Sequence, residues 1–273
     1  MTIRAMIPYL IITFGLAWGL FAILTLYQDQ VVSIFGPVSA TNPLFIVSVY
    51  APAIAAVSLV LWTGGIDAAK RFLSRLFLWR ASPYWYAFLI FGIPWIHFAG
   101  SAVKGNLFDT PFPFENVSAA LAGLGFMLIL GPVEEFGWRG VALPLLQRHV
   151  APIWAGLVLG MIWGVWHLPA FFLSGTPQSA WGFTPFFIGS IAVSLILTPF
   201  FNNARGSILI AVLFHFQLNN PLWPDAQPYD TIFFVLAALG AIWFNRDSMF
   251  NRDGAIIEVI PQSVRDDAGS SAH

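Results

Sequence analysis

The chain has no cysteine among its 273 residues. That excludes a disulfide framework, a thiolate metal centre and a cysteine nucleophile. Charge is nearly as scarce: Asp, Glu, Lys and Arg make up 9% of the residues, where a soluble domain carries about 25%. So few charges cannot coat a water-facing surface. With 12 Lys+Arg against 13 Asp+Glu there is no basic field, which excludes nucleic acid as a partner. The chain also has no Gly-x-Ser-x-Gly elbow and no His-Glu-x-x-His stretch, so the common serine-hydrolase and zinc-protease signatures are missing. What it has in excess is apolar mass. Hydrophobic residues reach 58%, Phe alone counts 27 and Trp 12, and the mean hydropathy is +0.76.

The apolar residues fall into runs at 7–27, 44–63, 83–103, 117–138, 152–173, 183–201, 207–223 and 231–244. A membrane helix needs roughly 20 apolar residues. Runs of that length without alternation argue against a β-barrel. The fold class predicted is therefore all-α: a polytopic membrane protein of about eight transmembrane helices. Residues 1–246 form one helical domain, and 247–273 form a polar, disordered cytoplasmic tail. The first run is too long for a cleaved signal peptide and lacks a small-residue cleavage site.

Loop charges predict the orientation. With a cytoplasmic N-terminus and eight spans, 11 of the 12 basic residues fall inside and only Lys104 falls outside, among five acids. This is the bias expected of a multi-pass protein with both termini cytoplasmic. Residues 66–80 alternate apolar and basic faces, as a helix lying along the inner membrane surface would. Asn116-Val117-Ser118 matches a glycosylation acceptor, at the edge of the fourth run.

Ionisable groups at membrane depth are expensive and mark function. Glu134, Glu135 and Arg139 lie near the inner end of the fourth run, His167 in the fifth, His215 and Asn219 in the seventh. Glu135 and Arg139 are four apart and can pair on one face. Glu134 points about 100° away and has no partner on its own helix. His215 and Asn219 are also four apart. Pro169 follows His167 closely and bends or ends its helix. His97, flanked by Trp95, Ile96 and Phe98, reads as a packing residue. A carboxylate and an imidazole flanking a water can act as general base. A second imidazole and an amide can stabilise an oxyanion. Two histidines and a carboxylate (Glu134, His167 and His215) also satisfy a zinc site. The residues alone leave both chemistries open, and no metal is assigned.

Glu134-Glu135-x-x-x-Arg139, Trp163-x-x-x-His167 and His215-x-x-x-Asn219, in this order on separate runs, resemble the CPBP family, also called the Abi or type II CAAX prenyl endopeptidase-like family. Its second motif has Phe where this chain has Trp163. The resemblance covers 117–223. It implies an eight-helix intramembrane protease whose cavity reaches the site from the membrane and the cytoplasm. It assigns water activation to Glu134 with His167, oxyanion support to His215 and Asn219, and a supporting pair to Glu135 and Arg139. The implied partners are membrane lipid and a lipidated or membrane-spanning peptide. The implied location is a bacterial inner membrane. A proton-coupled transporter and a non-catalytic immunity or scaffold protein are the competing readings.

One expectation is uncomfortable. Entering from outside at Val117, Glu134 lies about 25 Å deep at 1.5 Å per residue. Entering from inside at Pro152, His167 lies about 23 Å deep. In a core of about 30 Å these depths put the pair on opposite sides, unless a kink at Pro132, a tilt or a displaced fifth helix brings them together.

Overall fold

The computed structural model describes residues 1–109 and 114–262. The described residues form helices and turns without strands, and the protein is a polytopic helical membrane protein. We number the main helices α1 (Met6–Leu26), α2 (Ala51–Leu73), α3 (Ile93–Lys104), α4 (Val117–Leu130), α5 (Pro152–Trp166), α6 (Phe183–Asn203), α7 (Ile208–Leu218) and α8 (Asp230–Phe244). Their outer faces carry exposed Ile11, Trp62, Leu121, Ile129, Ile232 and Leu236. So large an apolar exterior suits lipid rather than water.

Six helical segments are long and apolar enough to cross a membrane; α7 and α8 are shorter. All eight apolar segments are present, but α7, at 11 residues, rises only about 16 Å. The seventh run is apolar to Trp223, yet its helix ends at Asn219 because Asn220 and Pro221 follow. Asn220 Oδ1 accepts from Leu222 N–H instead, turning the chain. The second run is likewise divided, into a short helix Pro43–Val49 and α2. Residues Gly64 and Gly65 then break α2 with non-helical dihedrals. Beyond that break the amphipathic stretch packs one face on the bundle, with Ala68, Phe72 and Arg75 buried.

The fourth segment runs on from Val117 to Gln147, well past the inner end expected near Trp138. After α4 come a 3-10 turn Pro132–Glu134, a helical turn Glu135–Gly137, a π-turn Trp138–Ala142 and a last helix Leu143–Gln147. Pro144 explains the π-turn, since it has no N–H for the carbonyl of Gly140. A second π-turn, Phe88–Gly92, stands in the same relation to Pro94. The orphaned Gly140 carbonyl accepts from Arg75 Nη1 at 2.8 Å. The same guanidinium reaches Gly206 O at 2.8 Å and Val259 O at 3.1 Å. Asn116 caps α4 by accepting from Ala119 N–H, which gives that residue a structural task.

α5 packs most extensively on α6, and α6 on α8. The α5 surface is a stripe of Gly156, Gly160 and Gly164. A Cβ on Gly160 would sit 2.7 Å from Ile191 Cα, a backbone atom that cannot step aside. Small residues at this spacing let membrane helices approach closely. Gly160→Val should therefore cost about 1–3 kcal/mol, the usual range for overpacking, and lower the thermal midpoint of the detergent-solubilised protein. Gly19, on the outside of α1, meets nothing within 4 Å. Gly19→Val is the control, and an equal loss in both would refute the packing role.

The bundle has two unlike ends. One gathers Met1, Arg148, Asn202 and the segment 256–259. There Gln147 Nε2 donates to Asn202 Oδ1 at 3.0 Å and to Ile256 O at 2.8 Å, and Arg148 donates to Ile257 O and Met1 O. The expectation of a disordered tail from 247 is thus corrected for 247–262. Met249 and Val259 are buried, because Gln147, Arg148 and Arg75 supply donors that a polar composition does not disclose. Residues 263–273 of that tail lie outside the described residues. At the other end Lys104 pairs with Asp225 at 2.6 Å, and Asn106 donates to Asp225 O.

Candidate active site

The long fourth segment settles the question of depth. Only residues 148–151 separate Gln147 from Pro152, so the fourth and fifth segments form a hairpin. Glu134 lies 13 residues before that turn's start and His167 15 residues after its end, about 20 Å and 23 Å of helix respectively. The two residues are therefore at similar depth. No compensating tilt is needed. The earlier conflict came from ending the fourth span too soon.

Glu134, His167, His215 and Asn219 all line one cavity of about 590 Å³. Glu134 is buried, at 4% exposure. It is not a carboxylate without partners. Trp163 Nε1 donates to its Oε2 at 2.9 Å and Trp138 Nε1 to the same oxygen at 3.2 Å. Its Oε1 accepts no hydrogen bond from the described residues. Two indoles thus hold one oxygen and leave the other toward the cavity. Trp138 lies four residues after Glu134, so its contact follows helical spacing. Trp163 comes from α5, and only its place in the second motif signalled it. Phe, the family's usual residue there, has no N–H to give.

Glu135 and Arg139 pair at 3.1 Å, and both are fully buried. Glu135 Oε1 also meets His215 Nδ1 at 2.7 Å, a contact that spacing alone does not reveal. Arg139 lies with its guanidinium carbon 5.2 Å from the Trp163 ring centre, in reach of a cation–π contact. One buried cluster therefore joins the first and third motifs through Glu135, and the first and second through Glu134 and Arg139.

Hydrogen bonds set the histidine tautomers. His167 Nδ1 faces the carbonyl of Trp163 at 2.9 Å. A carbonyl only accepts, so Nδ1 carries the proton, and the neutral ring presents a bare Nε2. His215 Nδ1 faces a carboxylate paired with arginine, so it too carries the proton. Its Nε2 is bare when neutral and a donor only in the imidazolium form. α7 begins with Ser207 capping Ile210 N–H, which sets His215 on the face toward Glu135. Gly131 makes room for this motif, since a Cβ there would lie 2.2 Å from Asn219 Nδ2 and 3.4 Å from His215 Nε2.

Among the described residues no three His, Asp or Glu side chains lie close enough together to hold a metal ion.

His97 also lines the cavity, stacked edge-on against Phe234, with no hydrogen bond to its buried Nε2 among the described residues. Reading it as packing missed that position, because neighbours in sequence do not show which way α3 faces. The remaining wall comes from Phe45 and Val49, from the loop around Gln178 and Trp181, and from the loop Trp223 to Asp230. None of it comes from the end that holds Met1 and Arg148. The cavity runs to the opposite end.

Residues 116–220 match the family described as Type II CAAX prenyl endopeptidase Rce1-like. Over these residues the chain is similar to that family. The match spans the segment that holds all three motifs from which the resemblance was read. A curated protein named CAAX prenyl protease 2, from Methanococcus maripaludis, is 28% identical over 167 residues, which is 57% of this chain and 60% of that protein. The chain thus matches about 60% of the length of that relative.

Trp163 holds the Glu134 carboxylate in place by donating to its Oε2. A hydrogen bond to a charged group is worth about 1.5–3 kcal/mol, so under the peptidase reading proposed below Trp163→Phe should lower kcat by about ten- to a hundredfold with KM little changed. Trp163→His, which restores an N–H, should recover part of the loss. A Trp163→Phe protein with unaltered kcat would sink the role.

Proposed function

We propose that the chain is an intramembrane endopeptidase that hydrolyses a peptide bond in a lipidated or membrane-embedded substrate. The observation that carries this reading is Glu134 at the cavity floor, held through one oxygen, beside the His167 imidazole with its bare Nε2, the His215 ring and the Asn219 amide. That set matches what peptide hydrolysis requires, and the Rce1-like match covers it.

In this reading water sits between Glu134 and His167. Glu134 Oε1 takes its proton as the water oxygen attacks the peptide carbonyl carbon, with His167 Nε2 orienting the second hydrogen. The carbonyl electron pair moves onto its oxygen. Asn219 Nδ2–H and the Nε2–H of His215, which enters the reaction already protonated at Nε2, receive that charge. Glu135 steadies the imidazolium through Nδ1–H, as the buried aspartate does in serine-protease triads. The proton held by Glu134 then passes to the departing amine, and the C–N bond breaks. Arg139 holds Glu135 in place through their ion pair.

The test compares protein termini in membranes from cells carrying wild-type or Glu134→Gln protein. New termini that depend on Glu134 support the proposal and name the substrate. Identical termini, with both proteins present at equal level, would refute it.

A further inference from the structure

The cavity and the charges of this chain occupy opposite ends of the bundle. Of the basic residues, Arg75 and Arg139 are buried in the protein and so say nothing about orientation. Arg265 lies outside the described residues. Of the other nine, Lys104 alone stands at the end to which the cavity runs. Arg4, Lys70, Arg71, Arg80, Arg148, Arg205, Arg246 and Arg252 belong to segments at the far end or leading to it. With these three set aside the bias is still eight to one, and such a bias marks the cytoplasmic side.

The far end is also sealed beneath the site. Between Glu134 and the closed end, Trp138, Val141, Ala142, Leu143 and Leu145 are at most 1% exposed. Below them the Gln147, Asn202 and Ile256 contacts close the floor. Water and a peptide therefore reach Glu134 from the other direction, past Gln178 and Gln227. Asn219 sits at the end of α7 with the loop 220–229 directly above it. Cytoplasmic termini and a cytoplasmic opening, both expected from the sequence, cannot hold together in this fold.

We infer that the cavity opens to the extracytoplasmic face, so the substrate is a peptide segment presented from that side of the membrane. This rests on the peptidase reading for the word substrate, but the direction of opening does not. It separates this chain from an enzyme that takes its peptide from the cytoplasm. The reactions that supply its substrate are those that carry a lipidated or membrane-anchored peptide across the bilayer.

Because the chain lacks cysteine, single-cysteine variants report cleanly. Ala180→Cys stands at the mouth and is exposed, Gln178→Cys lines the cavity, and Asn251→Cys is exposed at the closed end. Each is treated in intact cells and again after membrane rupture, with a membrane-impermeant methanethiosulfonate ammonium reagent. Ala180→Cys and Gln178→Cys should react equally before and after rupture, and Asn251→Cys only after it. The reverse pattern would overturn the inference while leaving the peptidase reading intact. Reaction of Ala180→Cys without Gln178→Cys would also overturn it, since the cavity would then be shut on that face. Failure of the peptidase reading shows separately, as unchanged termini in the Glu134→Gln comparison.

Discussion

Glu134→Gln protein should fold and insert normally and turn over about 10²–10⁴-fold more slowly, the usual cost of one lost general base. The amide keeps the size of the carboxylate. Its carbonyl oxygen can still accept from Trp163 and Trp138, which hold Oε2 at 2.9 and 3.2 Å. What it cannot do is take a proton from water at neutral pH. The two effects separate in one experiment: the thermal midpoint in detergent should stay close to wild type, while cleavage of a probe peptide collapses in kcat. His167 retains its bare Nε2 in this variant, and residual turnover measures what an imidazole alone can do. Full activity in a folded Glu134→Gln protein would remove Glu134 from the reaction and with it the proposed mechanism.

The motifs were legible because charge at membrane depth is rare and each motif repeats at a helical spacing. Glu135 with Arg139 follows from four residues of separation. Length was not legible in the same way. The fourth segment looked finished near Trp138, since Arg139 resembles a cytoplasmic anchor. In the fold Arg139 is wholly buried, and the helix continues through a π-turn and Pro144 to Gln147. A sequence shows that a charge is present but not that another helix supplies its partner. The same blindness hid the Trp163–Glu134 hydrogen bond, the place of His97 on the cavity wall and the Glu135–His215 contact, all of which involve residues from separate helices. The closing segment 256–259 was missed for a related reason. Its hydrogen bonds go through backbone carbonyls, which carry no residue signature.

Glu135 should prove to be a structural and a catalytic residue at once, and its variants should divide the two roles. Its Oε1 meets both Arg139 and His215. Glu135→Gln leaves Arg139 buried at 0% exposure without its counter-charge. Nε and Nη2 of that guanidinium already lack partners among the described residues, so little else can compensate except the face of Trp163. Removing one side of a buried ion pair costs about 3–5 kcal/mol, a large share of the stability of most proteins. Reduced expression and a markedly lower thermal midpoint should follow. The double change Glu135→Gln with Arg139→Gln removes the lone charge and should recover a good part of that stability. It should not recover activity, because His215 still lacks the carboxylate that supports its imidazolium when the oxyanion forms. Arg139→Gln alone should fall between, keeping Glu135 beside His215 but leaving that carboxylate buried without its cation. Thermal melts and kcat measured on the three proteins test this ordering. A double variant as unstable as Glu135→Gln would show that the pair is not what holds the cluster. A double variant restored in both stability and turnover would show that His215 acts without Glu135.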